Sequence, residues 1–190
     1  MSQVARMKTI GWLALTCLLP CAAGGSAGGY HHLTAANTHV VFEVRRLGLR
    51  LFSAEFRQLS GDLQMGPSGE GGTLSVVVHM ASIDCHDPPW NTRLRSPQWL
   101  DVDKYPEMTF HSSEIRFDGA HHATVQGELT LHGVTRSLAF TFSDIDCDLS
   151  AGGQRPCRFS GRTQIRRSDF RLPHGFWEGG DVVDILVRGF

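Results

Sequence analysis

The sequence predicts an all-β fold, an antiparallel up-and-down barrel of about eight strands with one short helical crossover. Short segments of the 190-residue chain alternate apolar and polar side chains, turns separate them, and helical periodicity appears nowhere over any length. A β-sandwich would fit the same pattern. A barrel is favoured because no segment has the continuous apolar character of a parallel strand and because closure removes exposed edges.

The predicted strands follow one another along the chain. In residues 38–44 the side chains of Val40, Phe42 and Val44 share one face, and a second alternation over residues 52–63 runs through Phe56. The glycine-rich stretch at residues 66–72 predicts a turn. Further strands are predicted at residues 74–80, 108–110, 124–131, 138–142, 159–166 and 181–190.

One stretch, residues 91–112, interrupts this series. Arg93 and Leu94 could open a short helix, and Trp99 with Leu100 would close it with a large apolar anchor. Pro97 fits only within a first helical turn, so the helix must be short or broken. We expect a compact crossover with an aromatic tip that covers one end of the sheet as a lid.

The first residues have the pattern of a secretory signal. Arg6 and Lys8 supply the positive charge, residues 10–19 the apolar stretch, and residues 21–23 a small-residue cleavage site. Residues 24–29 form a flexible spacer, which leaves 30–190 as one barrel domain. Pro20 directly before Cys21 argues against a lipid anchor at that cysteine. We therefore expect a periplasmic or secreted protein.

The charge balance argues against nucleic acid as a partner. Removal of residues 1–23 takes away two cations and no acids, which leaves 16 Lys and Arg against 19 Asp and Glu, a net charge of −3. This balance gives no basic footprint. After residue 29 no apolar run is long enough to cross a bilayer, so we expect no transmembrane segment in the mature chain.

Three cysteines follow the signal. Cys147 and Cys157 flank a Gly-containing turn between two predicted strands, so a disulfide bond across a hairpin is expected in an oxidising compartment. Such a short loop would stabilise the domain by roughly 2–3 kcal/mol. Cys85 is either a half-buried thiol near a strand end or a reactive cysteine, and we favour the first interpretation.

The inward faces of the predicted strands carry no patterned charge. An eight-stranded barrel has an interior that is either filled by side chains or able to hold one small ligand, and both alternatives stay open. Gly127 favours a cavity, because an inward-facing glycine removes side-chain volume. The expected interior residues are Phe42, Val44, Leu74, Val76, Val78, Phe110, Leu129, Leu131, Phe140 and Phe142.

Four segments resemble the YceI-like family of exported, lipocalin-like, polyisoprenoid-binding proteins. They are FEVRRLGL (42–49), LRSPQWLDVDKYPEMTFHS (94–112), GELTLHGVTRSLAF (127–140) and RRSDF (166–170). The resemblance covers the chain from Tyr30 to the C-terminus. It implies an antiparallel barrel around an elongated apolar tunnel, a helix over one end, and an isoprenoid quinone or a polyprenyl phosphate as ligand. It adds Trp99 of the crossover and Phe170 of RRSDF to the expected ligand-binding residues.

The chain departs from this family at three arginines. Arg46 and Arg93 stand where the family usually has histidine, and Arg171 stands where it commonly has glycine. If these side chains converge, Arg46 and Arg93 would help to bind an anionic head group, because guanidinium groups suit phosphate and carboxylate. The alternative is three solvated surface arginines.

Signals for catalysis are weak. The histidines show no zinc-site spacing, no serine lies in a nucleophile motif, and no glycine-rich segment has a phosphate-loop pattern. His132, within LTLHGVT, is more typical of a turn residue than of a catalytic base.

We therefore predict a non-catalytic, exported protein that needs no cofactor and holds an isoprenoid lipid; the sequence leaves a homodimer open. The alternative is an exported enzyme or metal-dependent protein that uses His132, Arg46 and Arg93 at a polar barrel mouth.

Overall fold

Eleven strands form one antiparallel sheet that curls into a barrel. The computed structural model describes residues 29–46, 49–66, 71–146, 158–173 and 180–190. The strands are β1 Tyr30–Thr34, β2 Thr38–Arg46, β3 Leu49–Phe56, β4 Leu59–Met65, β5 Gly72–His79, β6 Ile83–Asp84, β7 Glu107–Phe117, β8 Ala123–Leu131, β9 Val134–Asp146, β10 Arg158–Arg166 and β11 Val182–Gly189. Helix α1 spans Pro88–Arg95, and two 3-10 turns span Met80–Ser82 and Arg167–Phe170.

The strand pairing runs in the order β1-β4-β5-β7-β8-β9-β10-β11-β2-β3-β6. Strand β3 lies between β2 and β6, and β4 lies between β1 and β5. Only residues 57 and 58 separate β3 from β4 along the chain, so the two ends of this order adjoin each other. The result is an up-and-down barrel, and the predicted all-β antiparallel architecture is confirmed.

The prediction of eight strands differs from the eleven observed, because turns set off the unpredicted strands β1 and β6 and divide the predicted segment at residues 52–63 between β3 and β4. Residues 35–37 form a turn that separates β1 from β2, and Asn37 stabilises it by donating to the His32 carbonyl at 2.9 Å. Between β3 and β4 the N–H of Arg57 donates to the Ser82 carbonyl at 3.1 Å. Ser82 itself belongs to the 3-10 turn that separates β5 from β6. At these points the backbone groups form hydrogen bonds with turn residues instead of with a neighbouring strand.

Helix α1 begins earlier than the sequence predicted. Asp87 caps its N-terminus by accepting from the N–H of Trp90 at 3.1 Å, and Pro88 and Pro89 occupy the first turn, where no N–H is needed. Arg93 therefore lies in the last turn of the helix rather than near its start. The short helix inferred from Pro97 is confirmed, since α1 ends at Arg95, whereas the expectation that Trp99 closes the helix is wrong, because Trp99 follows its end.

The barrel encloses one cluster of buried apolar side chains to which nearly every strand contributes. Leu94 is the only residue of α1 that is buried, and the exposed Trp90 of the same helix contacts Phe52 at the edge of this core, with ring centroids 6.1 Å apart. None of the helices in the described residues is long and apolar enough to cross a membrane. The predicted signal at residues 1–23 and the spacer at 24–29, apart from residue 29, lie outside the described residues.

Candidate functional site

The barrel interior contains two cavities. The first, which we call the apolar cavity, has a volume of about 120 Å³. Every residue of its wall is apolar except Thr38. Its wall residues are Leu33, Thr38, Val40, Leu63, Met65, Leu74, Val76, Val78, Met108, Phe110, Ile115, Phe117, Ala123, Val125, Leu129, Phe140, Phe142, Ile145, Phe159, Ile185 and Val187.

The second, which we call the mouth cavity, has a volume of about 310 Å³ and lies under α1 and the crossover. Leu51 and Trp90 form part of its wall and are themselves exposed, so this cavity opens towards solvent. Its wall residues are Phe42, Val44, Leu51, Phe52, Ala54, Ile83, Trp90, Leu94, Trp99, Leu100, Ile165, Arg167, Leu172, Pro173 and Val183.

Four large side chains of the same buried cluster line neither cavity, and we call them the partition: Phe56, Met80, Leu131 and Phe170. Phe56 pairs with Val40 of the apolar cavity on one side and with Ile83 of the mouth cavity on the other. The ring of Phe42 meets the Phe56 ring edge-on at 5.1 Å. Phe56 therefore lies between residues of the two cavities, and the continuous tunnel implied by the family resemblance stays a prediction.

Phenylalanine rings form an arc along the apolar cavity. The ring centroids of Phe110 and Phe140 are 5.1 Å apart, those of Phe140 and Phe142 are 6.1 Å apart, and those of Phe142 and Phe159 are 5.8 Å apart. The interpretation of Gly127 as a source of free volume is wrong, because the Phe110 ring occupies the space where its side chain would lie. The absence of a side chain at Gly127 leaves space for the Phe110 ring, which forms part of the cavity wall.

The predicted ligand-binding residues divide among these regions. Phe42, Val44 and Trp99 line the mouth cavity. Leu131 and Phe170 belong to the partition and line neither cavity. The wall of the apolar cavity contains the other seven apolar residues predicted to bind the ligand: Leu74, Val76, Val78, Phe110, Leu129, Phe140 and Phe142.

Of the three arginines predicted to converge, the structure describes the side chains of Arg93 and Arg171. The guanidinium of Arg93 lies over two tryptophan rings, 5.2 Å from the centroid of Trp90 and 5.5 Å from that of Trp99. Arg171 is exposed after the 3-10 turn, in a left-handed conformation with φ 57°. The side chain of Arg46 lies outside the described residues, so its predicted convergence with the other two stays a prediction.

Sequence reasoning missed Arg167, the arginine that lines a cavity among the described residues. Arg167 is 5% exposed and forms part of the mouth-cavity wall. A buried charge is retained only where polar groups or an anion compensate it, which makes this the polar part of an otherwise apolar chamber. Arg167 belongs to the RRSDF segment from which only Phe170 was selected, but the segment alone does not show which of its two arginines is buried. Leu51 and Trp90 were missed as well, because neither belongs to an alternating pattern.

Helix α1 is attached to β6 by a polar network. The side-chain amide of Asn91 donates to Asp84 at 2.9 Å, and the backbone N–H of His86 donates to the same carboxylate at 2.8 Å. These bonds, together with Arg57, lower the pKa of Asp84 from 3.8 to about 2. The thiol of Cys85 is half-buried and donates to the Asn91 side-chain oxygen at 3.1 Å. Its predicted position near a strand end is confirmed, whereas Cys147 and Cys157 lie outside the described residues.

His132 has a structural position. With φ of 51° at His132 and 71° at Gly133, the two residues form the tight turn between β8 and β9. Its Nδ1 lies 3.2 Å from the Phe170 carbonyl oxygen, and its ring centroid lies 4.2 Å from that of Tyr105. In the part of the chain that the structure describes, no group of three or more His, Cys, Asp and Glu side chains could hold a metal ion. This geometry does not favour the enzyme or metal-dependent alternative.

Comparison with known proteins identifies the family. The chain is 29% identical over 163 residues to a UPF0312 protein of Vibrio campbellii, with 85% of each chain covered. The fold is similar to that of Burkholderia cenocepacia BcnA, with a TM-score of 0.70, 23% identity, and coverage of 81% of this chain and 96% of that one. It is also similar to a polyisoprenoid-binding domain from Saccharophagus degradans, with a TM-score of 0.52, 15% identity, and coverage of 85% and 98%. The YceI-like domain model matches residues 31–188, and the chain therefore belongs to the YceI-like family.

Proposed function

We propose that this protein is an exported lipid-binding protein that holds an isoprenoid-tailed amphiphile inside its barrel and catalyses no reaction. The observation that carries the proposal is the pair of interior cavities, of which the apolar cavity has no charged side chain among the described residues of its wall. Membership of the YceI-like family supports it. So does the name of the Saccharophagus degradans relative, a polyisoprenoid-binding domain.

The hydrophobic effect alone makes such a site strong. Each methylene group that leaves water contributes about 0.8 kcal/mol, so one isoprene unit contributes on the order of 3–4 kcal/mol before ordering costs. A branched, unsaturated tail also suits the arc of phenylalanine rings, which offers aromatic faces and edges rather than polar groups. A few isoprene units would therefore bind tightly with almost no hydrogen bonds.

The mouth cavity is the place for a polar head group. Arg167 supplies a buried guanidinium there, and Arg93 lies over the rings of Trp90 and Trp99 beside it. Guanidinium groups form strong hydrogen bonds to phosphate and can also donate to a quinone carbonyl. The ligand class that fits is an isoprenoid quinone or a polyprenyl phosphate, with the head at the mouth and the tail directed inwards.

Export is part of this proposal. It rests on the signal pattern of residues 1–23, and a periplasmic or secreted carrier would meet isoprenoid lipids at a membrane surface. The mass of the protein recovered from the periplasm would show whether residues 1–23 have been removed.

The proposal is tested by filling the mouth cavity. Val44 lines this cavity, so Val44→Trp should lower the affinity for farnesol, a short-chain isoprenoid alcohol, by about tenfold or more, because the new ring fills the space through which the head group and the first part of the tail pass. Val41→Trp is the matched control, because Val41 is the outward-facing neighbour of Phe42 on the same strand and lines neither cavity. Equal farnesol affinity in both variants, measured by fluorescence competition on folded protein, would contradict binding in the interior.

A further inference from the structure

The end of the barrel at the mouth cavity carries a cluster of exposed apolar side chains. Among the described residues six large apolar side chains are exposed, and four of them, Leu49, Leu51, Trp90 and Val182, lie at this end. Leu49 is 70% exposed, Leu51 54% and Trp90 42%. Large exposed apolar residues that cluster mark an interaction surface more often than isolated ones do.

These residues are continuous with the cavity. Leu51, Trp90 and the half-buried Trp99 all line the mouth cavity, and Leu49 lies two residues before Leu51 at the end of the β2–β3 hairpin. The ring centroids of Trp90 and Trp99 are 6.2 Å apart. We call Leu49, Leu51, Trp90 and Trp99 the rim. A surface that covered the rim would also cover the opening of the cavity.

The exposed charges beside the rim are mainly cationic. Arg50 lies between Leu49 and Leu51, and Arg93 lies over the two tryptophan rings. The nearest acid on the hairpin, Glu43, is buried; it pairs at 2.7 Å with Arg45, which also contacts Asp184 at 3.2 Å, and at 3.5 Å with Arg50, whose side chain is nevertheless 62% exposed. Asp87 at the start of α1 is engaged as the helix cap. The combination of tryptophan, leucine and arginine is typical of side chains at the head-group level of a membrane.

We propose that the rim docks on a lipid bilayer surface and that the mouth cavity opens directly into the bilayer. This inference rests on the proposed function, since an isoprenoid tail is insoluble in water and has to leave or enter a membrane. Leu49, Leu51 and Trp90 insert among the head groups, and Arg50 and Arg93 contact lipid phosphates. The tail then moves between bilayer and barrel without crossing water.

The test compares two substitutions at opposite ends of the barrel. Leu49→Asp removes a rim residue that lines neither cavity, and Phe190→Asp replaces an exposed apolar residue beyond Gly189, which pairs with Thr38 of the apolar cavity. Each protein, purified in the exported form that lacks residues 1–23, is mixed with vesicles of phosphatidylcholine and phosphatidylglycerol in equal parts, and the fraction that floats with the vesicles is measured. Farnesol affinity is measured separately without vesicles.

We expect the wild-type protein and Phe190→Asp to float with the vesicles, and Leu49→Asp to bind them about tenfold more weakly. All three should bind farnesol equally. A wild-type protein that stays with the unbound fraction, or equal flotation of both variants, would overturn docking by the rim even if farnesol still binds. Flotation that depends on Leu49 in a protein that does not bind farnesol would support docking and refute the proposed function instead.

Discussion

Three glycines of the barrel each lie beneath a phenylalanine ring from a neighbouring strand. Gly127 lies under Phe110, Gly161 under Phe142 and Gly189 under Phe159. A methyl group added at Gly127 would lie 2.6 Å from the Phe110 ring and would also collide with the carbonyl oxygen of His111. These pairs bring the rings flat against the sheet, and the rings then form the wall of the apolar cavity.

We predict that Gly127→Ala destabilises the protein by about 1–3 kcal/mol, because the clash involves a backbone oxygen that cannot rotate away. Denaturant unfolding measures the change. Gly119→Asn is the control, since no atom lies near a side chain at Gly119 and asparagine tolerates its positive φ of 77°. A Gly127→Ala protein as stable as the control would show that the Phe110 ring and the nearby backbone can shift to accept the methyl group, which would contradict a rigid cavity wall.

The residue scale is where sequence reasoning was least successful. The alternation of apolar side chains correctly identified Val76, Leu129 and Phe140 as interior residues, because an alternating pattern specifies a face. It could not show that Phe110 fills the space above Gly127, since that contact joins two strands. Arg167 was missed for a similar reason, because nothing local distinguishes a buried arginine from its exposed neighbour Arg166.

Helix α1 forms one side of the mouth cavity, and its attachment depends on few contacts. Leu94 is its only buried side chain, and the Arg95 guanidinium donates to the Ile83 carbonyl at 2.8 Å. The Asn91–Asp84 bond joins the helix to β6. An element held by so few apolar contacts is a candidate for local opening, which would widen the mouth.

We predict that acid weakens this attachment. Because Asn91 and the His86 N–H lower the pKa of Asp84 to about 2, the carboxylate contributes stability that is fully present above its ordinary pKa of 3.8 and is lost as the pH falls towards about 2. The melting temperature of Asp84→Asn should therefore change less over this pH range than that of the wild type. Asp103→Asn is the control for removal of an exposed carboxylate elsewhere in the crossover. Parallel melting profiles for the wild type and Asp84→Asn would refute the role of this network.

At the scale of elements, the sequence predicted which segments are strands better than where they end. Strand β1 was missed because its five residues, YHHLT, show no apolar alternation. The helix was placed too late because Asp87 and the two prolines after it were not recognised as a helix start. The turns between these strands depend on Asn37 and Ser82, whose hydrogen bonds reach residues that only the fold brings near.

At the scale of the whole molecule, the described residues of the barrel line two cavities, with Phe56 between residues of both. The barrel itself was predictable, because about eight alternating segments joined by turns leave few other arrangements. The partition was not, because it is built from Phe56, Met80, Leu131 and Phe170, which come from distant parts of the chain. A tail longer than one cavity requires the partition to shift. Met80 is its most adaptable member, since methionine is unbranched and flexible.

We predict that Met80→Ala joins the two cavities. The protein should lose about 2–5 kcal/mol of stability without ligand, and its affinity for geranylgeraniol should rise relative to that for the shorter farnesol. Met65→Ala is the control, because Met65 is equally well buried but belongs to the wall of the apolar cavity. The same ratio of affinities in both variants would contradict the assignment of Met80 to the partition.

The central claim is that the barrel holds an isoprenoid lipid, and the most direct test is to identify what the protein carries. Protein purified from its native host is extracted with organic solvent, and the extract is analysed by mass spectrometry. We predict a lipid with an isoprenoid tail at close to one molecule per protein, and much less of it in Val44→Trp. An extract without such a lipid, or one with equal amounts from both proteins, would contradict the account.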